Sequence, residues 1–136
     1  MSLEKPMPAI FIGHGSPDNA FEDNEFSREW RRIATTFEKP TGILVISAHW
    51  VTPGATLVTG MAQPETIHDF YGFPEAYSEF HYPAPGAPDL ARRIAESIAS
   101  VTIQTDDSWG LDHGTWSILT HLYPQADIPV IQMSID

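Results

Sequence analysis

The sequence predicts an α/β fold, a predominantly parallel sheet flanked by helices and incomplete at the C-terminus. The continuous apolar, β-branched run Gly42–Ala48 (GILVISA) carries the parallel-sheet prediction, because a strand buried on both faces reads without polar alternation. Amphipathic helical segments alternate with apolar runs, as crossover-linked strands require. The chain stops directly after Pro129–Ile135 (PVIQMSI), so a strand that looks internal to a sheet is followed by nothing.

The elements follow in order. Pro8–Ile12 (PAIFI) is a short apolar run ending at Gly13, read as the first strand. Asn24–Phe37 is read as a helix, with Phe26, Trp30, Ile33 and Phe37 near one face, and Pro40 stops it. Gly42–Ala48 is the next strand and Thr56–Thr59 a weaker one. From Gly60 to Pro88 the chain is rich in proline, glycine and aromatics. A loop this long is either functional or disordered, and Phe70, Tyr71, Phe73, Tyr77, Phe80 and Tyr82 argue against disorder. A helix from Pro88 to about Ala99 carries the stripe Leu90, Ile94, Ile98, with Pro88 suited to its first turn. Val101–Thr105 reads as a strand, a third helix runs from near Thr115 to before Pro124, and Pro129–Ile135 closes the chain.

Composition narrows the function. A chain of 136 residues, 42% hydrophobic, supports one domain with a modest core. The absence of cysteine excludes disulfides, thiolate nucleophiles and cysteine-based metal sites, and fits a cytoplasmic setting. A net charge of −11 without a basic stripe argues against nucleic acid and anionic membranes as partners, and favours an approaching cation. No apolar run is long enough to span a bilayer, and no secretory leader is evident. Residues 1–6 are expected to be a tag or disordered.

His14 and His49 hold equivalent places, each just past the carboxyl end of a predicted strand, with one helix between them. Ligands of open α/β sheets bind beyond the carboxyl ends of the strands, and imidazole is the common nitrogen ligand for zinc and iron(II). The plain alternative is a pair of turn histidines. His113, just before the third predicted helix, would be kept neutral by the helix N-terminus and available for acid–base work; a capping role is its alternative. A two-histidine, one-carboxylate site needs an acidic ligand, for which Asp136, Asp69 and Asp112 are candidates, each readable equally as an ordinary aspartate. His68 and His81 could cover the crevice, His121 reads as a dipole partner or surface residue, and Ser16 as a turn cap.

Gly13-His14-Gly15-Ser16-Pro17, Ser47-Ala48-His49-Trp50, Ile67-His68-Asp69-Phe70-Tyr71-Gly72-Phe73-Pro74, His81-Tyr82-Pro83-Ala84-Pro85-Gly86 and Trp109-Gly110-Leu111-Asp112-His113-Gly114-Thr115-Trp116 occur in this order. Together they resemble the 4,5-DOPA dioxygenase extradiol family, related to the catalytic subunit of protocatechuate 4,5-dioxygenase. The resemblance runs from about Met7 to Asp136 and implies that residues 7–136 are the N-terminal part of a single catalytic domain. It implies one non-haem divalent metal, Fe(II), often replaced by Zn(II), held by His14 and His49, with His113 near the substrate oxygens. The implied reaction cleaves a catechol ring beside the diol and incorporates both atoms of O₂. Phe70 and Tyr82 are the expected contacts to the small aromatic substrate. Family members are much longer, and further ligand histidines, one in a Gly-Asn-x-x-His-type segment, are expected beyond Asp136. The chain alone is therefore expected to be weakly active or inactive. Two alternatives stand beside this reading. One is a tetrapyrrole metal chelatase, which also carries a His-Gly-Ser segment after its first strand. The other is a non-catalytic half-domain that self-associates through the open C-terminal face.

Overall fold

The computed structural model describes residues 5–136. Four strands, β1 (Ile43–Val51), β2 (Thr56–Thr59), β3 (Ile103–Asp106) and β4 (Val130–Ile135), form one sheet in the order β1-β4-β2-β3. β1 pairs parallel with β4 and β2 parallel with β3, while β2 meets β4 antiparallel. The sheet is therefore mostly parallel, as the apolar runs require. β4 is internal, and its residues are buried up to Ile135, which agrees with its reading as a central strand.

Helices α1 (Glu25–Ile33), α2 (Glu75–Ser78), α3 (Pro88–Ser97) and α4 (His113–Leu122) complete the fold, with a 3₁₀ turn at Pro17–Ala20. Asn24 starts α1 with a capping box: its side chain accepts the Phe26 and Ser27 amides, and Ser27 Oγ accepts the Asn24 amide. Pro88 sits in the first turn of α3, where a missing N–H costs nothing. Among the described residues no helix is long and apolar enough to cross a membrane.

Two apolar clusters sit on the sheet. Val58, Ala91, Ile103, Ile131 and Met133 pack α3 against β2, β3 and β4. Tyr82, Leu111, Trp116, Leu119 and Val130 pack α4 and the aromatic loop, with Ile43, Val45, Phe70 and Phe80 around them. Trp116 is the centre of this second cluster. It is fully buried, its ring meets Phe80 at 5.1 Å and Phe70 at 6.0 Å, and its indole donates to Ile67 O at 2.9 Å. The long loop is thus held by ring packing and a few backbone bonds rather than by regular elements. Its one helix is the four-residue α2, and Thr66 forms an isolated parallel bridge with Leu111.

Two expectations change. Pro8–Ile12 is not a strand: it pairs with nothing, and Phe11 is fully exposed. A strand needs a neighbour, and among the described residues β1 forms no pair on the side away from β4. The segment is apolar without a ladder to join, and Leu44 and Ile46 on β1 are exposed as well. The β1 run itself extends through His49 and Trp50, so His49 lies within a strand rather than after one. The expectation for residues 1–6 falls mostly outside the described residues; Lys5 and Pro6 are exposed coil.

Candidate metal centre

The three histidines singled out from the sequence meet. Ligand-capable nitrogens of His14, His49 and His113 all lie within 4.8 Å of one another. His14 Nε2 and His49 Nε2 are 3.0 Å apart. The His49 and His113 ring centroids are 4.2 Å apart, and those of His14 and His113 are 5.2 Å apart.

Each histidine arrives by a different route. His49 rides on β1 where the strand departs from regular pairing. Ile46 is opposite Met133 and Val51 opposite Ile135, so β1 spends five residue steps where β4 spends two. Such a bulge re-aims side chains, here turning Ser47 and Trp50 inward and His49 toward the cluster. His113 is the first residue of α4. His14 comes from the coil before the 3₁₀ turn. Gly15 there has φ +66°, and a Cβ on it would lie 2.6 Å from Asn19 Nδ2, so glycine alone suits the position. Asn19 Nδ2 donates to His14 O at 3.0 Å, and Asn19 Oδ1 accepts Asn24 Nδ2 at 2.8 Å.

Asp69 orients the His113 ring and lies close to that of His49. Its Oδ1 accepts both the His113 amide and His113 Nδ1 at 2.9 Å, and its Oδ2 lies 3.7 Å from His49 Nδ1. A carboxylate only accepts, so His113 Nδ1 carries the hydrogen and Nε2 is the free nitrogen. Burial works against the Asp69 charge, but the His113 bonds outweigh it and hold the carboxyl below its ordinary value. His14 is shifted too: burial first, then the neighbouring His113 and His49, push its pKa below the usual histidine value. Neutral imidazole is the metal-binding form.

The donor set fits a divalent cation of the imidazole-binding kind, zinc or iron(II). Two of the rings have their second nitrogen turned toward a carboxylate, as metal-bound histidines commonly do. His14 Nδ1 is the exception, buried without a partner. Gly114 permits the close assembly: a Cβ there would lie 2.9 Å from both His49 Cδ2 and Ser47 Oγ.

The other candidates fall elsewhere. Asp136 accepts the Gly54 amide at 2.8 Å and is not in the cluster. Asp112 is fully buried and bonded to Ser47, Gln132 and Trp109. Asp69 supports the histidines rather than standing among them. Phe70 meets the His113 ring edge-on at 5.6 Å. Tyr82 does not reach the crevice: it is 2% exposed within the core, and its hydroxyl donates to Tyr123 O at 2.8 Å. His68 Nε2 donates to Phe80 O at 2.7 Å, and the residue borders a separate open groove with His81. His121 bridges helices, with Nδ1 at Arg31 and Nε2 at Asn19 O. Ser16 caps the 3₁₀ turn as expected. The supporting roles of Asp69 and Asn19 escaped the sequence reading. Asp69 was read only as one of three candidate acidic ligands, with nothing in the spacing to pair it with His113.

A mixed α/β sheet gathers three imidazoles beside its edge strand β1, in an arrangement that could hold a metal ion. Residues 7–136 match the family described as the catalytic LigB subunit of aromatic ring-opening dioxygenase, and the chain belongs to that family. Among its relatives is the 4,5-DOPA dioxygenase extradiol of Escherichia coli K12, 53% identical over 131 residues, covering 96% of this chain and 48% of the relative. The protein of the same name from Beta vulgaris is 44% identical over 133 residues, covering 93% of this chain and 49% of the relative. The crystal structure of an uncharacterized Escherichia coli K12 protein superposes with a TM-score of 0.65 at 42% identity, over 85% of this chain and 42% of that one. The chain spans about half the length of the curated relatives it matches. The chelatase alternative draws no support from these relatives.

Proposed function

We propose that residues 7–136 form the N-terminal part of a single catalytic domain. Its reaction is extradiol cleavage of a catechol-type, DOPA-like aromatic with O₂ at a non-haem metal, in a cytoplasmic setting. The observation that carries this reading is the convergence of His14, His49 and His113 within a segment matched to a ring-opening dioxygenase family.

His14 and His49 are assigned to hold the metal, Fe(II) in the active form and Zn(II) as a substitute. When bound, the metal supplies Lewis-acid and redox chemistry toward a diol and O₂. The chain's own residues do the rest. His113 Nε2 accepts a catechol hydroxyl proton, since Nδ1 is committed to Asp69. The Asp69 carboxylate then sits against the imidazolium it has helped to form. Phe70 gives the flat ring an aromatic wall beside His113. His14 and His49 alone are a sparse set, since firmly held zinc takes three or four protein ligands. This chain is therefore expected to bind metal weakly and to turn over slowly or not at all.

Calorimetric titration with Zn(II), followed by oxygen uptake with DOPA after anaerobic Fe(II) loading, tests the reading. His14→Ala and His49→Ala should each abolish binding, whereas His113→Ala should retain much of it and lose whatever ring cleavage the unaltered chain shows. Unchanged zinc binding in both of the first two variants would overturn the assignment. A stoichiometric sub-micromolar site in the unaltered chain would overturn the sparse ligand set and make His113 the leading third ligand.

A further inference from the structure

A buried polar group lies behind the imidazoles, outside every role assigned above. Asp112 is fully buried. Its Oδ1 accepts Ser47 Oγ at 2.8 Å, and its Oδ2 accepts the Gln132 side-chain amide and the Trp109 indole, the latter at 3.3 Å. All three partners are donors, so Asp112 serves purely as an acceptor, as a carboxylate does. No basic side chain pairs with it among the described residues. Although it stands at the N-cap of α4, it makes no capping bond.

Ser47 carries the connection onward. Its hydroxyl, having donated to Asp112, accepts the His49 backbone amide at 3.2 Å. That amide lies in the bulged stretch of β1, between the registered pairs at Ile46 and Val51. An amide there needs a partner to hold the bulge in one shape. Gln132 locks the far side, because its Oε1 accepts Thr115 Oγ1 at 2.7 Å and the Asp112 amide at 3.3 Å.

We propose that Asp112 and Ser47 are positioning residues for the metal ligand His49: the Asp112 carboxylate fixes the Ser47 hydroxyl, and Ser47 fixes the bulge that aims His49 into the cluster. Asp112 also places a negative charge behind ligands that carry none of their own, which favours a divalent cation. The inference rests on the metal reading of His14 and His49.

The test uses Ser47→Ala, Ser47→Thr, Asp112→Asn and His49→Ala in this chain. Two quantities are read: the dissociation constant for Zn(II) alone, and hydrogen exchange at the His49 backbone amide without metal. Near-ultraviolet circular dichroism checks packing. Ser47→Ala should weaken zinc binding about 10-fold or more, as loss of a group behind a ligand does, and should speed His49 exchange. Ser47→Thr, which keeps the hydroxyl, should restore both. Asp112→Asn should weaken zinc binding at least as much as Ser47→Ala, because an amide cannot satisfy three donors. If Asp112→Asn does not fold, the Ser47 pair decides the matter alone. Zinc affinity and His49 exchange in Ser47→Ala within about twofold of the unaltered chain would overturn the proposal while leaving the metal reading intact. Equal zinc binding by the unaltered chain and His49→Ala would overturn the metal reading and this proposal with it.

Discussion

His113 and His14 stand in one cluster, yet the molecule holds them by opposite means. His113 opens a regular helix, is buried, and is gripped through both its amide and its ring by Asp69. Behind it lies a satisfied polar group of Asp112, Ser47 and Gln132. His14 comes from unpaired coil, is fixed chiefly through its carbonyl by Asn19, and has a ring nitrogen without a partner. One side of the site is preformed and the other depends on a single side-chain tether. The prediction from this contrast is that changes on the His113 side act on folding, and changes on the His14 side act mainly on metal affinity.

The largest effect belongs to the preformed side. Trp116→Ala removes a fully buried ring that joins α4 to the aromatic loop and, through the bond to Ile67, to the segment carrying Asp69. Such truncations cost about 3–5 kcal/mol. Chemical denaturation should show a loss of that size, with the remaining folded fraction binding zinc poorly. A loss under about 1 kcal/mol would mean that the loop packs independently of α4.

Gly114→Ala comes next. The added methyl would meet His49 Cδ2 and Ser47 Oγ at 2.9 Å, so either α4 or the β1 bulge must give way. Overpacking of this kind costs about 1–3 kcal/mol. Zinc affinity should fall together with stability, because the displaced group is itself a proposed ligand. Lost stability with unchanged zinc binding would show that α4 moves and His49 does not.

Asn19→Ala sharpens the contrast from the other side. It removes the bond to His14 O and the link to Asn24, an expected loss of about 1 kcal/mol. Zinc binding should fall severalfold more than that stability change accounts for, since no ladder bond replaces the tether. Equal losses would place His14 on the same footing as His113.

How much of this was legible in the chain follows the same division. GILVISA declared a parallel strand, PVIQMSI a central one and Pro88 a helix start, but the expectation that GILVISA is buried on both faces fails, because β1 lies at the sheet edge with Leu44 and Ile46 exposed. His14, His49 and His113 were singled out by motif, and the fold brings them together. PAIFI misled, because an apolar run becomes a strand only beside a partner strand, and partnership is not a local property. Tyr82 misled for a related reason: a tyrosine in an aromatic loop reads alike whether it lines a crevice or donates to Tyr123 O in the core. The Asp69–His113 and Asp112–Ser47 pairs join residues 44 and 65 positions apart, and no periodicity spans that distance.

The smallest effect is a pH dependence of the metal-free chain. Burial, then His113 and His49, hold the His14 pKa below its ordinary 6.5 in the folded state. Below that value the unfolded chain binds a proton that the folded chain resists. Stability contributed by neutral His14 is therefore full above about 6.5 and is lost as pH falls toward the lowered folded value. Asp69 acts in a separate window: its lowered carboxyl contributes above the ordinary 3.8 and fails only in stronger acid. Thermal melts between pH 7.5 and 5, in chelator, should show a modest decline that His14→Gln flattens and that Asp69→Asn does not flatten by removing a carboxylate titration. An identical slope in His14→Gln would show that His14 meets the same environment folded and unfolded, and that its side of the cluster is not formed until metal arrives.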